Sequence, residues 1–204
     1  KEVVYEFKKN MGSIINVNTV IIIGTVLLGD YIIELIWGSK KFDTENVKLA
    51  YVFLIFNIGS VLISSVSSIY RKMSVAQGKG KRLYSFWVIA QLLSALFTYV
   101  LISNFKTNGL FFIIPLNTLL MGITSYIIYK KTKSSISYNI FNRTNLIALI
   151  SIVFAVALKY FTLNYAYLEN KTEIILILIF CTVILSIFPV LSTYKLYRNE
   201  KIIN

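Results

Sequence analysis

Two acidic side chains, Asp30 and Glu34, lie four residues apart in a long apolar stretch of the sequence. If this stretch is helical, the two carboxylates share one face of the helix. Carboxylates that face a cavity inside the membrane can carry protons or bind a cation during transport. Alternatively, residues 30–37 run along the membrane interface, with both acids in water and with Tyr31 and Trp37 in the aromatic belt. The sequence leaves both interpretations open.

Three amide side chains, Asn57, Gln91 and Asn117, lie one each in the second, third and fourth apolar segments. In a membrane an amide needs an interhelical partner or water. The amides are therefore candidate cavity residues together with the two acids, although amides at such positions more often form packing hydrogen bonds than substrate contacts. Lys159 lies near the end of the fifth segment, where we expect its side chain to snorkel to the lipid headgroups without a functional role.

A basic stretch follows the second apolar segment and offers phosphate-binding chemistry. Lysine and arginine beside a membrane gain about 1 kcal/mol each from anionic headgroups. The candidate lipid-phosphate contacts are Arg71, Lys72, Lys79, Lys81 and Arg82. The alternative is that these residues only fix the topology of the chain. The sequence around Gly78 and Gly80 does not complete a nucleotide-binding phosphate loop.

The composition is that of a membrane protein. Of the 204 residues, 56% are hydrophobic and only 15% are charged, and the mean hydropathy is +0.70, values that soluble domains do not reach. The chain has no histidine and a single cysteine, which excludes disulfides, His or Cys metal sites and His-based catalytic triads. We expect no metal, no cofactor and no nucleic-acid partner.

Six apolar segments are long enough to cross a hydrocarbon core about 30 Å thick as helices. They are bounded by basic or polar residues and cover residues 13–37, 49–70, 83–102, 109–129, 144–163 and 174–196. Strands are excluded because barrel segments are shorter and alternate polar with apolar residues. The sequence therefore predicts an all-α, polytopic membrane helix bundle. In the second segment, Ser60, Ser64 and Ser68 predict a face that a neighbouring helix approaches closely.

The distribution of lysine and arginine predicts the orientation. When loops are assigned alternately to two sides, one side holds fifteen basic residues and the other holds five. The positive-inside rule then places both termini in the cytoplasm and the protein in the inner (plasma) membrane. The loops on the opposite side, such as residues 104–108, are too short for an external catalytic domain. We therefore expect a protein that is not an enzyme.

Three stretches resemble a known family of membrane carriers. In residues 26–42, VLLGDYIIELIWGSKKF, the matching positions are Ile32, Ile33, Leu35, Ile36, Trp37, Gly38 and Phe42. In residues 68–81, SIYRKMSVAQGKGK, they are Ala76, Gly78 and Lys79. The third stretch, KTNGL at residues 106–110, keeps Gly109 of a glycine pair, and Phe112 stands where the second glycine is commoner. The residues resemble the C-terminal part of a polysaccharide or oligosaccharide-lipid flippase of the multidrug/oligosaccharidyl-lipid/polysaccharide exporter superfamily.

The resemblance covers roughly residues 5–133, and the final helix pair is similar to the end of longer members. It implies two helical lobes around a central cavity, with a lipid-linked oligosaccharide carried across the cytoplasmic membrane by alternating access. This chain would be most of one lobe, with residues 1–133 as a four-helix part and 134–204 as a terminal helix pair and tail. The implied partners are membrane lipids, the lipid-linked saccharide and an N-terminal lobe of the same protein, since the sequence begins at Lys1 and reads as part of a longer chain.

Two other functions fit the same pattern. A drug or metabolite exporter of the same superfamily would have the same helices, and a non-catalytic membrane scaffold could use every polar residue for packing. A glycan polymerase or ligase fits less well, because it needs acid–base residues gathered on a large external loop.

The predicted topology can be tested with compartment-sensitive reporters fused after Lys41 and after Lys79. Because one membrane span separates these positions, we expect the two reporters to be active in opposite compartments. Activity of both reporters in the same compartment would contradict the topology.

Overall fold

Within the residues that the structure describes, the chain folds into six long α-helices. The computed structural model describes residues 2–38, 43–131, 136, 143–165 and 171–198, and within them no strand occurs. The helices are α1 (Glu2–Trp37), α2 (Thr44–Ala76), α3 (Gly80–Phe105), α4 (Leu110–Lys130), α5 (Arg143–Tyr165) and α6 (Lys171–Arg198). All six are long and apolar enough to span a membrane. The predicted all-α polytopic membrane bundle is confirmed.

Most helices extend beyond the segments that hydropathy predicts. The helix α1 begins at Glu2 rather than at residue 13, and its 36 residues correspond to about 54 Å at 1.5 Å per residue. A hydrocarbon core is only about 30 Å thick. The apolar run marks the part of a helix that suits lipid, whereas backbone hydrogen bonds continue through polar residues beyond it.

Hydrogen bonds at both ends of α2 explain where it begins and ends. At its start, the Asp43 carboxylate accepts a 2.8 Å hydrogen bond from the backbone N–H of Asn46, which satisfies one of the open donors of the first turn. At its end, the N–H of Lys79 donates to the Ser74 carbonyl and that of Gly78 to the Val75 carbonyl. This pair of hydrogen bonds requires a residue with a left-handed backbone conformation after the helix, and Gly78 has a φ of +71°.

The turn between α3 and α4 also depends on a glycine. A short 3₁₀ helix, Lys106–Gly109, joins the two helices, which pack against each other. A Cβ atom at Gly109 would lie 2.5 Å from the Leu101 carbonyl oxygen. Only glycine therefore allows the end of α3 to approach the start of α4 so closely.

Contacts between residues in space divide the chain into two compact units. Unit 1 consists of Lys1–Met11 and Phe56–Tyr138, and unit 2 consists of Gly12–Ile55 and Asn139–Asn204. Helices α1 and α2 contribute residues to both units, while α3 and α4 lie in unit 1 and α5 and α6 lie in unit 2. The predicted division into residues 1–133 and 134–204 stays a prediction.

Unit 1 has an aromatic core. The rings of Phe7 and Tyr129 stack with centroids 5.7 Å apart, and the Tyr70 ring lies 5.0 Å from that of Tyr129. Met11 completes this buried cluster. The Tyr129 hydroxyl accepts a 2.6 Å hydrogen bond from the N–H of Ile136 and donates a 3.1 Å hydrogen bond to the carbonyl of the same residue. The cluster therefore joins the first turns of α1 to the ends of α2 and α4.

Helices α2 and α4 approach closely at a glycine in unit 1. A Cβ atom at Gly122 would lie 2.9 Å from the Cγ2 atom of Ile63. Nearby on α2, Ser60 and Ser67 are buried, whereas Ser64 is exposed. The predicted row of small residues is thus right at Ser60 and wrong at Ser64, because the packed face of α2 is rotated relative to that row.

We expect Gly122→Ala to lower the free energy of unfolding by about 1–3 kcal/mol, because the added methyl group overpacks the contact with Ile63. Gly59→Ala is the matched control on the exposed side of α2, where a Cβ meets nothing within 4 Å. That change should be neutral or stabilise the helix by up to about 1 kcal/mol. Denaturant unfolding in detergent measures both, and equal effects would contradict the close approach.

Candidate functional site

Asp30 of α1 forms an ion pair with Lys159 of α5 inside unit 2. The Lys159 Nζ atom lies 2.8 Å from each carboxylate oxygen of Asp30. Lys159 is only 4% exposed, and the side chain of Asp30 is 24% exposed. The pair lies within two helices that are apolar enough to span a membrane. A charge at such a position is stable only with a partner, and here each residue supplies the other's partner.

The ammonium group of Lys159 has further contacts on α1 and α2. It donates a 3.1 Å hydrogen bond to the backbone carbonyl of Leu27. It also lies 4.7 Å from the ring centroid of Tyr31 and 5.5 Å from that of Tyr51. Both distances are in the range of cation–π attraction. We call Asp30, the Leu27 carbonyl, Tyr31 and Tyr51 the ammonium cage.

The local sequence explains how the cage is held. The Tyr51 hydroxyl donates a 2.6 Å hydrogen bond to the Val26 carbonyl, which fixes the ring against α1. A Cβ atom at Gly29 would lie 3.2 Å from the Tyr51 ring, so glycine gives the ring room to approach. The Asp30 carboxylate accepts a 3.0 Å hydrogen bond from the N–H of Tyr31. The carboxylate and the Tyr51 ring are therefore both anchored by groups other than Lys159.

The expectation that the Lys159 side chain snorkels to the lipid headgroups is wrong. A lysine near the end of an apolar segment can reach the headgroups, but this side chain is buried against α1 instead. Its Nζ atom donates to the carboxylate of Asp30 and to the backbone carbonyl of Leu27. The sequence does contain both charges, but they are 129 residues apart, and no local pattern pairs them.

Glu34 has a different environment from Asp30. It forms an ion pair with Lys171 at the start of α6, and both side chains are well exposed, at 40% and 57%. The expectation that both acids are in water therefore fits Glu34 but not Asp30. The cavity interpretation stays a prediction, with Asp30 paired with Lys159. The two acids share a helix face and nevertheless have separate partners.

The three candidate amides all lie in unit 1. Asn57 on α2 and Asn117 on α4 are half-buried, and Gln91 on α3 is exposed. The side-chain oxygen of Asn117 is buried without a hydrogen-bond partner among the described residues. The candidate acids, in contrast, belong to unit 2. The structure therefore does not gather the five candidate cavity residues within one unit.

Two further polar residues that the sequence interpretation missed lie on α1 within unit 2. Asn16 is 1% exposed, and in the described part of the chain neither its amide nitrogen nor its amide oxygen has a hydrogen-bond partner. The hydroxyl of Ser13, one helical turn earlier, is in the same situation. An amide or hydroxyl buried in apolar surroundings without a partner costs several kcal/mol. The part of α1 before Leu27 thus contains polar groups that can still form hydrogen bonds.

The five candidate phosphate contacts surround the turn from α2 to α3. Arg71 is half-buried, with its guanidinium carbon 4.7 Å from the ring centroid of Trp87. Lys72, Lys79, Lys81 and Arg82 are exposed. Arg71 is therefore held by an aromatic face, and the other four remain accessible to solvent or to headgroups. Over the described residues, no group of three or more His, Cys, Asp or Glu residues lies close enough to hold a metal ion.

We expect Asp30→Leu alone to lower the free energy of unfolding by about 3–5 kcal/mol, because it leaves the buried Lys159 charge without its partner. Lys159→Met alone should cost less, because the Asp30 side chain that it leaves unpaired is 24% exposed. The double variant should be close to the wild type, since an apolar pair of similar volume often replaces a buried ion pair without loss. The control, Lys171→Met, breaks an exposed pair and should cost at most about 1 kcal/mol. Additive losses in the double variant, measured by denaturant unfolding, would show that the two charges are not coupled.

Comparison of the chain with protein-family models, with curated proteins and with solved structures finds no match. The functional interpretation therefore depends on the chemistry of the chain's own residues. Within the described residues, the charged and aromatic groups around Lys159 are the most completely built polar site.

Proposed function

We propose that this chain is part of a membrane transporter that moves a lipid-linked oligosaccharide across the cytoplasmic membrane by alternating access, without covalent catalysis. The observation that carries the proposal is the buried ion pair between Lys159 and Asp30 inside membrane-spanning helices. The identity of the substrate is supported by the resemblance of residues 26–42, 68–81 and 106–110 to oligosaccharide-lipid flippases.

The ion pair favours transport because its charges are expensive to keep in a membrane. On insertion scales, a lysine or aspartate at the centre of a helix costs about 2.5–3.5 kcal/mol, which is an upper bound for Lys159 and Asp30 because both lie nearer the ends of their helices. A bundle that only needs to be stable can pack apolar side chains at the same positions at no such cost. Ionisable residues within spans commonly mark the paths of substrates, ions or protons. Lys159 and Asp30 therefore point to a moving part rather than to a static support.

Polar groups along α1 support the same function. A saccharide and its phosphates cannot cross hydrocarbon without hydrogen-bond partners, because each unpaired polar group costs several kcal/mol. Ser13 and Asn16 precede the apolar residues Ile23 and Leu27, which are fully buried, and Asp30 follows them. Helix α1 thus carries polar groups on both sides of a buried apolar stretch, an arrangement that suits a carrier with alternating access.

The basic turn between α2 and α3 fits the loading end of such a carrier. Lys72, Lys79, Lys81 and Arg82 are exposed, and the charge distribution of the sequence predicts that this turn lies in the cytoplasm. A lipid-linked saccharide carries an anionic phosphate group next to the bilayer. Exposed ammonium and guanidinium groups there would raise the local concentration of that anion.

The proposal can be tested by reconstituting the full-length protein into vesicles with a fluorescent polyprenyl-diphosphate oligosaccharide in the outer leaflet. We expect the protein to move this lipid between leaflets, and Asp30→Leu/Lys159→Met to reduce the rate at least about tenfold while remaining folded. Lys171→Met is the control and should keep the wild-type rate.

The alternatives give different results in the same vesicles. Movement of a cationic dye or another small solute, without movement of the lipid-linked sugar, would identify a drug or metabolite exporter instead. Absence of any movement by the folded wild type would support a scaffold. A double variant as fast as the wild type would remove the ion pair from the transport mechanism.

A further inference from the structure

We propose that the ammonium cage is a binding site for primary alkylammonium groups, and that Lys159 is its tethered occupant in this structure. The inference concerns the chemistry of the cage itself, so it holds for a saccharide carrier, a drug exporter or a scaffold alike. It assigns to Asp30, Tyr31 and Tyr51 a defined ligand, a free primary alkylammonium ion that is not part of the chain.

The contacts of Lys159 suit an ammonium ion. Both oxygens of the Asp30 carboxylate lie 2.8 Å from the nitrogen and are close enough together to share one N–H donor, and the Leu27 carbonyl at 3.1 Å accepts from a second. The remaining surroundings include the two tyrosine rings, which attract a cation through their negatively polarised faces. A carboxylate, a carbonyl and aromatic faces together form the usual chemistry of an organic-cation site.

The cage discriminates between cations by shape and by donor number. A quaternary ammonium ion has no N–H group and would leave the carboxylate and the carbonyl without hydrogen bonds. A guanidinium ion is planar and pairs with a carboxylate through two nitrogens, whereas the Asp30 carboxylate and the Leu27 carbonyl converge on one nitrogen. Ca²⁺ and Mg²⁺ require six or more oxygen ligands, and two of the cage groups are aromatic rings. The primary ammonium group is the cation that the cage fits.

The cage is held together independently of its occupant. Tyr51 is fixed by its hydrogen bond to the Val26 carbonyl and by its packing against Gly29. Asp30 is held by the N–H of Tyr31, and the Leu27 carbonyl is part of the α1 backbone. Removal of the Lys159 side chain beyond Cβ therefore leaves a preformed anionic site, and little ordering opposes the binding of a replacement.

The proposal predicts chemical rescue of Lys159→Ala. This substitution removes three carbons and the nitrogen, and the missing atoms correspond to n-propylammonium. In the purified full-length protein, n-propylammonium in tenfold excess over its Kd should raise the unfolding midpoint of the variant by about 3 °C or more. The wild type should show no such rise, because its cage is occupied. Tryptophan fluorescence measures the midpoint at matched ionic strength.

Four control solutes and two control variants define the chemistry of the site. Propanol, tetramethylammonium, sodium and guanidinium should each raise the midpoint of Lys159→Ala by less than about 1 °C. Asp30→Asn/Lys159→Ala removes the carboxylate as well and should lose the response to n-propylammonium. Lys171→Ala breaks the exposed ion pair with Glu34 and should not acquire a response to any of these ions.

Several outcomes would overturn the proposal. They are equal stabilisation of Lys159→Ala by sodium and by n-propylammonium, persistence of the response in the double variant, and absence of any response in Lys159→Ala that is folded. If Lys159→Ala is recovered only as aggregate, the yield of monodisperse protein extracted with and without n-propylammonium becomes the measurement. Recovery only with the amine supports the cage, and aggregation under both conditions while Asp30→Asn/Lys159→Ala is recovered overturns it.

Discussion

An ion pair between the buried Lys159 and the partly buried Asp30, in helices apolar enough to span a membrane, imposes a strict constraint on unit 2. Neither charge is stable there alone, so the end of α5 must contact α1 at one position, where Nζ reaches both Asp30 and the Leu27 carbonyl. The Tyr51 ring adds α2 to the same contact. Apolar helices in lipid can slide past one another at little cost, since lipid tails are as apolar as leucine. The charges remove this freedom and fix how the three helices align.

The two units achieve a defined structure by different means. Unit 1 uses aromatic rings, with Phe7, Tyr70 and Tyr129 in one buried cluster, and a close approach of α2 to α4 at Gly122. Unit 2 uses an ion pair and its aromatic neighbours. Shape-dependent packing tolerates little change and involves no charged group, whereas a charged contact can exchange partners. This difference is why the ion pair and the ammonium cage, both in unit 2, carry the functional proposals.

The six helices were predictable from the sequence because their hydropathy depends only on neighbouring residues. Their ends were less predictable, since α1 continues through polar residues to Glu2 without any apolar signal. At the site, Asp30 stands out because it interrupts an apolar run. Lys159 does not, because its position near the end of a span has an adequate local explanation. Its true partner depends on the packing of α5 against α1, and the roles of Gly29 and Tyr51 follow from the same packing.

The separation of Asp30 from Lys159 along the chain has a consequence for biosynthesis. The 129 residues between them take roughly 6–26 s to translate at about 5–20 residues per second. Throughout that time the aspartate exists in a growing chain whose matching lysine has not yet been made. The nascent first helix therefore needs another polar contact for this carboxylate, such as water or the insertion machinery, until the fifth helix emerges. Assembly of unit 2 is thus a late event in the synthesis of the chain.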